Sequence, residues 1–351
     1  MLGRLFHALV RGFHCHNTHH RFAWDALPLV QTKAGKNLVQ MLFRYQHHYL
    51  TGATDPDTRF RDFQNHVIHT RDGFWGGAPR VAHAWYERLQ RYLRTNRYRD
   101  AAHAAGVLSH YFTDSLHPLH THHDSVEKIL HGPIDWSIHC GYESILKSWQ
   151  QNDLQVVFQL STGPGWLGEV ILHSARYANR KYETLLEGYD PTKTLLDPLG
   201  ALSAGSRIAM AEIFGLAITG WARVLERAAT DAEIARGGSL PRFGMTLPIV
   251  IATARIPTQC YSGWSEDRDL RNSVAELLEE WRVTGRVEKN LSAEVDIVHR
   301  VIRVREDEKN WIRQRRDRLN SRHTMIGIQS PANRLASTTC AAIPIKRAAL
   351  P

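Results

Sequence analysis

Apolar residues three and four positions apart recur along most of the chain, the period of helices that bury one face. Leu38, Met41, Leu42 and Tyr45 form one such stripe and predict one or two helices within residues 21–50. Val81, Trp85, Leu89 and Tyr92 form a second and predict a helix over 78–95. Arg99 to Leu116 is expected to be a central helix, because Ala101, Ala102, Ala104, Ala105 and Gly106 let neighbours approach closely. Pro118 should end it near Leu116 or His117, since proline lacks an amide hydrogen and disfavours the α conformation before it. Pro133 suits a first helical position, with a helix running on to about Gln150. Further helices are expected over 167–186 and 201–236. Charged amphipathic helices are expected over 268–316, with Val274, Leu277, Leu278 and Trp281 on one stripe and Val295, Val298, Val301 and Ile302 on a later one. Only TLPIVIATA, residues 246–254, reads as a strand candidate, so the fold class is all-α.

Two breaks organise these elements. Residues 51–77 are rich in Asp, Gly and Thr and read as a long loop, which inside a compact domain is usually functional. GGSLPRFG, residues 237–244, reads as a domain boundary. The expected organisation is a helical domain over 1–236, a charged helical extension over 237–320 and a loose tail over 321–351. The longest apolar run, IAMAEIFGLAIT at 207–218, is interrupted by Glu212 and too short to span a bilayer. The first twenty residues lack the continuous apolar centre of a secretory signal, so a cytoplasmic location is expected. Cys15, Cys140, Cys260 and Cys340 stand too far apart for a zinc ribbon or a compact disulfide framework.

The net charge of +9 suits an anionic substrate or surface, but its excess lies towards the C-terminal region, which makes that region a candidate for an anionic partner. Histidine changes the picture more. Of 21 in the chain, all but His173, His299 and His323 lie between His7 and His139. Neutral imidazole is the commonest metal ligand, so this asymmetry favours a metal-binding N-terminal part. His110 and Asp114 stand four apart on the central helix and share a face, so both can reach one cation. His120 follows the proline, and the loop before the central helix carries Asp55, Asp57, Asp62, His66 and His69, donors of the kind zinc accepts.

Read together, His110, Tyr111, Thr113, Asp114, Pro118 and His120 keep every interval of the motif H-Y-x-[GT]-D, spacer, P-x-H. The chain thereby resembles the bacterial zinc-dependent phospholipase C family, whose all-helical fold is shared with S1/P1-type nucleases. It departs from the strict form at Ser115 and Leu116 and just after His120. The tight match covers about eleven residues, with a looser likeness from His20 to about Glu143. The resemblance implies a multi-helix phospholipase C or P1 nuclease-like bundle, here with a C-terminal helical extension, and two or three zinc ions. It implies as ligands His20 for an early histidine, Asp57 and His66 for a loop pair, His110, Asp114 as a bridging carboxylate, and His120. Asp55 and His69 are the alternatives for the loop pair. The final His-x3-carboxylate is matched by His131 and Asp135, or by His139 and Glu143.

The family also uses a processed N-terminal amine as a ligand, whereas some 19 residues precede His20 here; His16 or His19 can take that place, or the site holds fewer ions. The implied activity is phosphodiester hydrolysis by metal-activated water, with Asp57 both a ligand and a proton acceptor, on a phospholipid head group or a nucleotide. His117, His122 and His123 are candidates for phosphate contact. Trp24, Trp75 and Trp136 could line a cleft but fit a core better. The alternatives are an S1/P1-type nuclease, or a non-catalytic helical protein with a closed, structural zinc.

Overall fold

The computed structural model describes residues 2–151, 158–244 and 257–325. The strand candidate at 246–254 and the end of the chain past Met325 lie outside them. Within the described residues no strand forms, and the only bridges are the isolated pairs His69–Trp75 and Tyr189–Leu202. The helices are α1 (Leu2–His14), α2 (Thr18–Asp25), α3 (Lys33–Arg44), α4 (Gln46–Asp55), α5 (Ala78–Arg94), α6 (Tyr98–Asp114), α7 (Glu127–Gln151), α8 (Trp166–Asn179), α9 (Tyr182–Glu187), α10 (Ala204–Arg236), α11 (Pro257–Thr284) and α12 (Ala293–Met325). The chain divides into two compact units, Met1–His299 and Arg300–Pro351. In the second, α12 continues as a charged helix that exposes Trp311, Ile312 and Leu319.

Helix α6 is the axis of the first unit: every residue from Ala104 to Asp114 is buried. Its small residues let α4 lie against its backbone. A Cβ added at Gly106 would fall on the Tyr49 carbonyl oxygen, and one at Gly52 on the carbonyl of His103. The long helix α10 packs against α3, α5 and α7. It is capped by Ser203, whose Oγ accepts from Ser206 N at 3.1 Å, and ended by Gly237 at φ +65°. By length and composition α10 could cross a membrane, but 72% of its most apolar window is buried inside the protein, as in a core helix. Tyr49 ties three elements together. Its hydroxyl donates to Ala23 O at 2.8 Å and accepts from Trp221 Nε1 at 2.7 Å. The stripes read on the C-terminal helices are core contacts at Val274, Leu277, Val295 and Val298, all buried.

Several boundaries differ from the sequence expectation. The expected loop 51–77 begins as helix, because α4 runs to Asp55 and continues through Pro56–Phe60 as a π-helical turn. Pro56 suits the first position of that π-helical turn, where no intrahelical amide donor is needed. The rest of the segment is strapped down: Ile68 N donates to His120 O and Thr70 N to Thr121 O, both at 2.9 Å. Pro133 lies inside α7, not at its start. The single helix expected over 167–186 is two, α8 and α9, and an unexpected helix, α1, packs Phe6 and Val10 into the core.

Candidate metal centre

The site forms where the end of α6, the start of α2, the 57–66 segment and α7 meet. His110 projects from α6 with Nδ1 2.8 Å from Ala53 O, a hydrogen bond that puts the proton on Nδ1 and leaves Nε2 as an electron-pair donor. One turn on, Asp114 Oδ2 lies 3.1 Å from His110 Nε2 and 3.1 Å from His66 Nδ1. Those two nitrogens are 3.2 Å apart, and Asp57 Oδ1 is 3.4 Å from each. Four donors at zinc–ligand lengths of about 2.0–2.1 Å in a tetrahedron stand about 3.3 Å from one another. Five of the six edges here therefore have that length. Two carboxylates with two neutral imidazoles carry two negative charges, which one divalent cation balances, so the donor set fits zinc in number, spacing and charge.

Asp114 also faces a second direction. Its Oδ1 is 3.6 Å from His19 Nε2 and 3.7 Å from His120 Nδ1, and Asp57 Oδ2 is 3.9 Å from His19 Nε2. Both carboxylates thus present one oxygen to each of two neighbouring groups. A third set gathers His120, His131 and Glu294, with donors within 4.8 Å of one another. His131 is aimed by Glu127, whose Oε1 accepts from its Nδ1 at 2.5 Å, while its Nε2 lies 3.2 Å from Asp135. Asp135 Oδ1 meets His117 Nε2 at 3.2 Å. His120 Nδ1, His131 Nε2 and Glu294 Oε1 are buried without a hydrogen-bond partner among the described residues. Buried polar atoms are rarely left so, and a shared cation would satisfy them.

The imidazoles and carboxylates of the site shift one another strongly. Burial alone would push His66 down, but the neighbouring carboxylates of Asp114 and Asp62 raise it to about 9. Burial also opposes charge on His110, yet Asp114 and Asp57 lift it well above its usual value. Against their own burial, Asp114 is held well below the carboxylate range and Asp57 near 2, first by His110. His19 is lowered to about 4 by burial and by the neighbouring His110, so it stays a neutral imidazole.

His20, the expected early ligand, is turned away, with Nε2 3.1 Å from Leu50 O. Asn17 caps α2 through His20 N, and neighbouring residues on a helix point about 100° apart, so His19, stacked on His110 at 3.9 Å, reaches the centre instead. Asp57, His66, His110, Asp114, His120 and His131 converge as described, and Asp135 joins through His131. Of the alternatives, Asp55 is bound to His103 at 2.6 Å and His69 is 3.2 Å from His123. His139 meets Asp267 at 2.9 Å, and Glu143, largely exposed, meets Arg11. His16 packs beside Gly263 and Trp24 is fully buried in the core. Glu294, more than 150 residues beyond the histidine-rich part, was not anticipated. Ser292 and an acidic first turn explain it locally as an ordinary helix start, so no sequence signal distinguishes it.

Asp62 supports the first group from behind: its Oδ1 is 3.6 Å from His66 Nε2, and Tyr111 donates to its two oxygens at 2.9 and 3.0 Å. Such partners orient ligands. Tyr111→Phe is expected to weaken zinc binding about 10-fold or more, within the usual range for outer partners. Chelator competition on the purified variant measures it, and an unchanged affinity would mean that Asp62 does not steer His66.

A cavity of about 240 Å³ opens on these groups. Its lining includes His19, Asp57, Asp114 and His120 and the apolar side chains Phe22, Ile138, Met210 and Phe214. No lysine or arginine is among its described lining residues.

Comparisons with known proteins bear on this arrangement. None of the curated proteins matches the chain. Among solved structures, the alpha toxin from Clostridium absonum matches with a TM-score of 0.49 and 16% identity, over 62% of this chain and 64% of that one. A family model described as zinc dependent phospholipase C matches residues 15–194, more than half of the chain, and those residues include the described ligand candidates from His19 to Asp135. The chain belongs to the zinc dependent phospholipase C family.

Proposed function

We propose that the protein is a zinc-dependent phosphodiester hydrolase of phospholipase C type, with phospholipid as its substrate class. The observation that carries this reading is the near-tetrahedral set Asp57, His66, His110 and Asp114, beside a second set that shares both carboxylates. Asp57, His66, His110 and Asp114 would hold one ion; His19 with the outer oxygens of Asp114 and Asp57 would contribute to a second; His120, His131 and Asp135 would contribute to another. Zinc bound there supplies water of lowered pKa and neutralises charge developing on the phosphoryl oxygens.

The chain's own residues do the rest. With no lysine or arginine among the described lining residues, the ions that these donors would hold would also bind the phosphate. Asp57 lines the cavity, stays ionised throughout the physiological range, and accepts the hydrogen bond and then the proton of the attacking water. The apolar lining residues Phe22, Ile138, Met210 and Phe214 would take the glycerol and first acyl carbons, which favours a lipid over a nucleotide.

The test is zinc-dependent release of phosphorylated head group from phospholipid in mixed micelles. Turnover lost on chelation, restored by zinc and abolished in His110→Ala is the expected result. Stoichiometric zinc with no turnover of any phosphodiester would instead support a structural metal. A second expectation follows from protonation. His66 and His110 carry protons at pH 7 in the metal-free protein, and ligation requires them neutral, so zinc binding should release protons and weaken as pH falls. Calorimetric titration in buffers of different ionisation enthalpy measures this; a binding enthalpy independent of buffer would contradict it.

A further inference from the structure

The cavity holds one carboxylate from outside the family-matched segment. That match ends at residue 194, whereas Glu294 sits in the first turn of α12. This turn is built, not loose: Ser292 Oγ accepts from Val295 N at 3.3 Å, and Val295 and Val298 are buried. From there Glu294 Oε1 reaches to 3.1 Å from His120 Nε2. His131, more than nine-tenths buried, aims an unpartnered Nε2 at the same space. Glu294 lines the cavity together with Asp57, Asp114 and Asp135.

We propose that Glu294 is a metal ligand donated by the C-terminal helix to the His120–His131 group, where it fills the position that an anionic substrate oxygen would otherwise take. The proposal rests on the reading of the site as a metal centre. A carboxylate beside two histidines, with a partner carboxylate at Asp135, makes a four-donor set. Four protein donors close a zinc site, whereas catalytic sites keep a position open. The ion held there is therefore kept tightly while Glu294 is in place, and phosphate oxygens compete with Glu294 for it.

Glu294→Gln keeps the shape and removes the charge. In chelator competition on the full chain, the variant should release one zinc at about tenfold lower chelator concentration than the wild type, a shift of the order seen when ligand shells are disturbed. The exposed Glu276→Gln should match the wild type. In cobalt-substituted protein the visible spectrum should change in Glu294→Gln, and inorganic phosphate should bind more tightly to that variant than to the wild type. Identical chelation curves, cobalt spectra and phosphate affinities would overturn the assignment of Glu294 while leaving the metal centre standing. A wild-type chain that holds no zinc or cobalt would overturn both. Should Glu294→Gln fold poorly by circular dichroism, Glu294→Asp provides the same comparison, because its shortened carboxylate cannot span the distance to His120.

Discussion

Asp114→Asn should cost the protein more zinc than any other single substitution. Asp114 gives one oxygen to the His66–His110 pair at 3.1 Å from each and the other to His19 and His120 at 3.6 and 3.7 Å. An amide keeps the volume but offers one oxygen without a full charge, and its NH2 is a donor that no cation accepts. Both groups are disturbed at once, and each loses a negative charge that balanced its ion. The loss in metal affinity should exceed the hundredfold upper range seen for outer partners, and turnover should fall with it. His122→Ala is the contrasting variant: its ring contacts Tyr182 and belongs to none of the three donor groups. Metal analysis after dialysis should find it close to the wild type. Equal zinc loss from the two variants would remove Asp114 from its bridging position.

Gly106→Ala should damage both the fold and the metal centre without altering a donor. The added methyl would occupy the position of the Tyr49 carbonyl oxygen and press on the backbone of Gly52 and Ala53, none of which can rotate aside as a side chain does. Helices α4 and α6 would have to separate. Overpacking of this kind costs about 1–3 kcal/mol and sometimes more. Separation also moves His110 away from Ala53 O, the acceptor that fixes its tautomer, and from the Asp57 segment that continues α4. Thermal unfolding should shift downward and zinc content should drop in the same variant, although no ligand is altered. Wild-type melting and metal content would show that the helices tolerate the methyl.

The all-helical class was legible because helix period and caps are local. The break read at GGSLPRFG falls where Gly237 ends α10 in the fold. Most donors were legible too, since the spacing of His110, Asp114 and His120 is tied to one helix and its terminating proline. The errors fall where local chemistry does not decide. His19 and His20 are chemically identical and adjacent, and only the angle set by the Asn17 cap and the approach of α4 separates them. The segment after Asp55 looks like a loop by composition, yet it opens with a helical turn that continues α4, and Ile68 and Thr70 further on are held by backbone bonds to residues 120 and 121. Glu294 joins the centre through tertiary packing of Val295 and Val298, which no spacing in the N-terminal half encodes.

The claim on which the rest depends is that these imidazoles and carboxylates hold cations. Equilibrium dialysis of the full chain against zinc, then against metal-free buffer, followed by elemental analysis, reads it directly. At least two tightly held zinc ions per chain are expected, with at least one fewer in Asp114→Asn. A wild-type chain that emerges with no stoichiometric metal would contradict it.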